Sequence, residues 1–141
     1  MFDKPYYQRL REWKHFRDQI EISETPFEDA LDFWSNAPVG RPCTDPYDNQ
    51  SWPTPWEMIQ ENTYCEFLRI LGICYTFQLT ERFSESQFEI HITLDRKQEY
   101  IVYLLFVDNQ PIGYYNDERI DESELSNFVS QMRHTMIAHR Q

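Results

Sequence analysis

Basic residues are scarce in this chain. Lys and Arg together number 13 against 24 Asp and Glu, which leaves a formal net charge of −11. A nucleic-acid backbone needs a basic face, so no nucleic-acid partner is expected. The charge suits a solvated acidic surface or a basic protein partner; a DNA mimic would further require carboxylates arrayed like phosphates. Cysteine is also rare. Cys43, Cys65 and Cys74 form no CxxC pair and are odd in number, so neither a zinc ribbon nor a complete disulfide framework is indicated. A reducing compartment fits that usage. There is no phosphate-binding loop and no dinucleotide fingerprint. No apolar run approaches membrane-spanning length, and the longest, Ile101–Val107, suits a buried strand. Residues 1–10 are polar and aromatic, so no secretory leader is expected. His134 and His139 have the wrong helical spacing for one metal. Asp45, Asp48 and Asn49 lack the calcium-loop pattern and its Gly, and read as turn-formers. No metal or cofactor is expected.

Apolar and aromatic side chains are plentiful, at 40% hydrophobic and 16% aromatic, too many for a disordered chain. A length of 141 residues can bury a real core and suggests one domain. Phe2, Tyr6, Leu10, Trp13 and Phe16 recur at helical spacing and predict a helix over 4–19. Thr25-Pro26-Phe27-Glu28 reads as a capping box that opens a helix over 26–36. These form a helical part, 1–38. Residues 39–54, rich in Pro, Asp and Asn, form an ordered loop.

Residues 45–72 are the most specific stretch. Thr54-Pro55-Trp56-Glu57 is a second capping box with Pro at the first helical position, and predicts a helix over 55–61. Thr63-Tyr64-Cys65-Glu66 is a third and predicts a helix over 63–71, ended by Gly72. Cys65 then sits in the first turn, where free N–H groups favour a thiolate. Beyond Gly72 the apolar period shifts from 3.6 to 2, and strands are expected at 73–82, 88–95, 99–107 and 112–115. Asp121-x-x-Glu124, followed by Leu125, Phe128, Val129, Met132 and Met136, predicts a last helix over 122–138. The fold class is α+β: an antiparallel meander of three to four strands flanked by helices.

The order Cys65, helix, His91, Asp108 resembles the transglutaminase-like cysteine superfamily, as does the passage Leu71-Gly72-Ile73 from helix to strand. The resemblance covers roughly residues 56–108. It implies a nucleophile at a helix start, packed on an antiparallel sheet that supplies His and then Asp. On it, Cys65 is the candidate nucleophile and His91 the candidate base of a thiol acyl-transfer enzyme or hydrolase. The chain has Thr63 where the family usually has a Gly, and Thr93 where it usually has an aromatic residue. A hairpin turning at Arg96–Lys97 would place His91 opposite Val102 and leave Asp108 about 20 Å further along the sheet. Asp95 or another carboxylate would then have to orient His91.

The phrases PFEDALDFW, SWPTPWEMI and YTFQLTERF resemble those of short proteins encoded by T4-like tailed phages of marine bacteria and cyanobacteria. That resemblance covers most of the chain and implies a phage origin, in the host cytoplasm or the virion, without implying an activity. The leading expectation is a non-catalytic protein-interaction module with a host or phage protein as partner. Tyr47, Trp52 and Trp56, in a stiffened loop, are its candidate anchors.

Overall fold

The computed structural model describes residues 1–115 and 118–137. Four helices come first: α1 (Tyr6–Ile22), α2 (Pro26–Ser35), α3 (Pro55–Glu61) and α4 (Glu66–Gln78). Five strands follow: β1 (Phe88–Asp95), β2 (Ile101–Val107), β3 (Gln110–Tyr115), β4 (Glu118–Arg119) and β5 (Phe128–Met136). They form one antiparallel sheet in the order β4-β3-β2-β1-β5. The α+β class is as expected, with one strand more than the meander foreseen.

The first helices form for the reasons their sequences suggest, with one exchange of partners. In α3 the capping box is complete: Glu57 N–H donates to Thr54 Oγ1 at 3.2 Å, and Thr54 N–H donates to Glu57 Oε1 at 2.9 Å. In α2, Thr25 does not cap a backbone N–H. Its hydroxyl and that of Ser23 both donate to Asp29, at 3.0 and 2.5 Å, so Asp29 rather than Glu28 ties down the entry.

Helix α4 overturns two expectations. It starts at Glu66, with Cys65 at the N-cap, and it runs through Gly72 to Gln78, across much of the stretch expected to be a strand. Every residue from Ile70 to Gln78 is buried. A helix covered all round carries no amphipathic stripe, so its alternating Ile, Tyr and Phe mimic a strand period. Gly72 is not a helix terminator but a notch. A Cβ there would lie 2.6 Å from the Trp34 ring, so only Gly lets α2 approach α4 this closely.

Around this notch the three helices share one hydroxyl. The indole N–H groups of Trp13 and Trp34 each donate to Thr76 Oγ1 at 3.0 Å, and that hydroxyl donates to Gly72 O at 2.7 Å. Arg9 binds the end of α3 to α1 by donating to Ile59 O and Gln60 O. One buried cluster draws on α1, α2, α3, α4 and the first three strands, and includes Trp13, Trp34, Phe67, Leu71, Phe77, Ile90 and Leu105. Trp56, expected in the core, is half-buried against Trp13.

The strand β5 is the second correction. The capping box at Asp121 and Glu124 does form, but it opens only a 3₁₀ segment, Glu122–Asn127. The chain then pairs with β1 from Phe88↔Met136 to Asp95↔Phe128, with a register irregularity between Ile92 and Thr93. The helical spacing of Leu125, Phe128, Val129 and Met132 is outweighed because β1 offers an unpaired edge. Asp108 and Asn109, both at positive φ, form the two-residue hairpin between β2 and β3. No helix among the described residues is long and apolar enough to cross a membrane.

Candidate functional site

The sheet separates Cys65 from His91. Successive strand side chains point to opposite faces. Phe67 of α4 packs on Tyr103 of β2, which marks the helix-covered face. His91 pairs with Leu104, one residue along, and projects from the other face. The register is thus two residues from the expected His91–Val102 pairing, because the β1–β2 turn closes with Asp95 N–H donating to Tyr100 O. Cys65, 5% exposed, lies on the helix side. The structure does not bring these two candidates together.

His91 has other partners. Its Nδ1 lies 3.0 Å from Ser130 Oγ and its Nε2 lies 3.3 Å from Glu89 Oε1. Its ring stacks on Phe106 at 4.0 Å. Burial holds its pKa below the usual histidine value, against the opposing pull of Glu89. This is a hydroxyl, an imidazole and a carboxylate in sequence, joining β5 to β1. A cavity of about 380 Å³ opens beside Glu89 and Phe106, but Ser130 does not line it. A carbonyl seated there would not meet the hydroxyl, so the chain of three reads as a polar clasp between strands.

Neither proposed orienting carboxylate faces His91. Asp95 is buried and accepts from Tyr115 Oη at 2.7 Å and from Lys97 N–H at 2.9 Å. Its burial works against ionisation, yet these bonds hold its pKa below the usual carboxylate value. Asp108 accepts from Gln87 N–H at 2.8 Å, which lowers its pKa and fixes the start of β1.

The aromatic loop is packed onto its own chain. Trp52 contacts Phe67 at 4.9 Å and His134 of β5 at 4.7 Å, and its indole N–H donates to Asp45 O at 2.9 Å. Trp56 lies against Trp13, with Arg17 over both rings. Tyr47 is 49% exposed and is the freest of the three candidate anchors. Asp45 and Asp48 accept from Tyr47 N–H and Gln50 N–H, as turn-formers do. No group of three or more metal-ligating side chains occurs among the described residues, and His139 lies outside them.

The feature not foreseen from the sequence is the outer edge of β5. This nine-residue strand pairs with β1 on one side only. Val129 and Met132, expected on the buried stripe of a helix, are 40% and 37% exposed. Arg133 is its only Lys, Arg, Asp or Glu, in a protein of net charge −11. Compared with family models, with curated proteins and with solved structures, the chain matches none.

Proposed function

We propose that the protein is a non-catalytic interaction module of phage origin, a virion component or a host-takeover factor. It engages an extended segment of a host or phage protein along β5. The observation that carries this reading is the long strand edge with Val129 and Met132 exposed beside it. Unpaired backbone N–H and C=O groups on an edge strand are a template for another strand. Natural edges are commonly blunted by Lys, Pro or shortness; β5 has no Lys and no Pro, and its protection is Arg133 and one irregularity. The Trp52–His134 contact sets the aromatic loop against the same strand, so Tyr47 can add an anchor next to it. The acidic charge favours a partner segment with basic residues in its flanks.

The test is affinity capture from phage-infected cells with the wild type, a Trp52→Ala variant and a Val129→Lys/Met132→Lys double variant. The wild type should enrich one protein. The double variant should lose it at least about tenfold, and Trp52→Ala should weaken it by releasing the loop. Retention by the double variant at the wild-type level would rule out strand addition. Enrichment of nothing, with the protein also absent from purified virions, would end the interaction reading as a whole.

A further inference from the structure

The loop and the N-cap of α4 bring two cysteines together that lie 22 positions apart in the chain. Val39 forms a parallel bridge with Tyr64, and Gly40 N–H donates to Tyr64 O at 3.0 Å. This anchors the start of the loop beside the residue that precedes Cys65. Three residues further on, Cys43 Sγ lies 3.9 Å from Thr63 O, two residues before Cys65, and the Cys65 thiol is near enough to help raise the pKa of Cys43. Pro42 and Thr44, the neighbours of Cys43, line a cavity of about 300 Å³ together with Cys65, Phe67 and Tyr103. The two thiols differ in access: Cys43 is exposed and Cys65 is buried. The third cysteine, Cys74, is sealed inside α4.

We propose that Cys43 and Cys65 are a redox pair: Cys43 is the entry thiol and Cys65 the resolving thiol, and a low-molecular-weight disulfide of the glutathione type oxidises them to an intramolecular bond. The chemistry balances in two exchanges. The Cys43 thiolate, its proton lost to solvent, attacks one sulfur of the oxidant; an S–S bond forms to Cys43 and the first thiolate leaves. The Cys65 thiolate, likewise deprotonated, attacks the Cys43 sulfur, and the second thiolate leaves. The protein loses two electrons and two protons, and the oxidant is reduced to two thiols. The order follows from access, since a tripeptide disulfide reaches Cys43 and not Cys65. The bond ties residues 39–54 to the start of α4. Burial and the neighbouring Cys65 raise the pKa of Cys43 to about 11, so the reaction at neutral pH is slow and needs sustained oxidant. The chemistry does not depend on whether the loop or β5 docks a partner.

The test incubates the intact protein with oxidised glutathione at mildly alkaline pH, then reads free thiols and intact mass, with peptide mapping. The wild type should lose two of its three thiols and two hydrogen masses, with the peptides of Cys43 and Cys65 linked and Cys74 untouched. A Cys65→Ser variant should stop as a stable glutathione adduct on Cys43. A Cys43→Ser variant should keep Cys65 unmodified; near-UV circular dichroism checks that both variants are folded, and Ser is itself a good N-cap. A wild type that stops as a stable adduct, or that keeps all three thiols, overturns the proposal. So does uptake of glutathione by Cys65 in folded Cys43→Ser at the rate of Cys43 in the wild type.

Discussion

Replacing Thr76 by Val keeps the volume of the side chain and removes one hydroxyl. In this structure that hydroxyl is used to capacity: two indole N–H groups donate to it and it donates to Gly72 O. Trp13, Trp34 and Thr76 are all fully buried, so neither indole has water to turn to. Each orphaned buried donor costs about 1–3 kcal/mol, partly offset because Val has no hydroxyl to desolvate. The expected loss is about 2–5 kcal/mol, a large share of the roughly 5–15 kcal/mol that holds a domain of this size together. Thr76→Ser is the control. It keeps the hydroxyl and should lose about 1 kcal/mol for the missing methyl. The assay is urea unfolding followed by far-UV circular dichroism, because indole fluorescence would itself respond to the change, with slopes compared so that midpoint shifts reflect stability. A Val variant within about 0.5 kcal/mol of the wild type, or a Ser variant as damaged as Val, would refute the view that this hydroxyl joins α1 and α2 to α4.

Gly72→Ala tests the notch: helix propensity alone predicts a gain of about 1 kcal/mol, but overpacking against the pinned Trp34 ring should turn this into a net loss of about 1–3 kcal/mol in the same assay. A more stable variant would show that Trp34 has room to move. His91 should be neutral at pH 7 and titrate below the unfolded value of about 6.5 in a proton NMR titration, since burial depresses its pKa. Between its folded and unfolded pKa the unfolded chain binds the extra proton, so this group makes stability fall as pH drops through about 6.5 and levels off below the folded value. Glu89→Gln removes the carboxylate that favours the charged ring and should lower the pKa further; a His91 titrating above 6.5 would contradict the burial argument.

Local chemistry was legible wherever neighbours in the chain supply both partners of an interaction. The Thr54–Glu57 capping box, the helices at the N-terminal end and the first two strands depend on residues a few positions apart, and they form close to where the sequence puts them, with α1 shifted to Tyr6–Ile22 and β2 shortened to Ile101–Val107. The same local reading failed where the environment decides. Residues 73–78 alternate like a strand, but full burial on all sides removes the polar face by which a helix is recognised, and α4 runs on. Residues 128–136 are spaced like a helix, but an open edge on β1 supplied hydrogen-bond partners that no periodicity records.

The candidate site divides the same way. That Cys65 lies near a helix start could be read from the sequence, but the expected Thr63–Glu66 capping box does not form: Thr63 donates to Glu61 O, Cys65 is the N-cap without a side-chain bond, and Glu66 is the first helical residue. Its nearness to the Cys43 loop, and its separation from His91 by the sheet, could not. Each depends on strand register and on where a loop is anchored. A side chain's face flips with a shift of one residue, so only the assembled hydrogen-bond ladder decides which of the chemically capable groups meet.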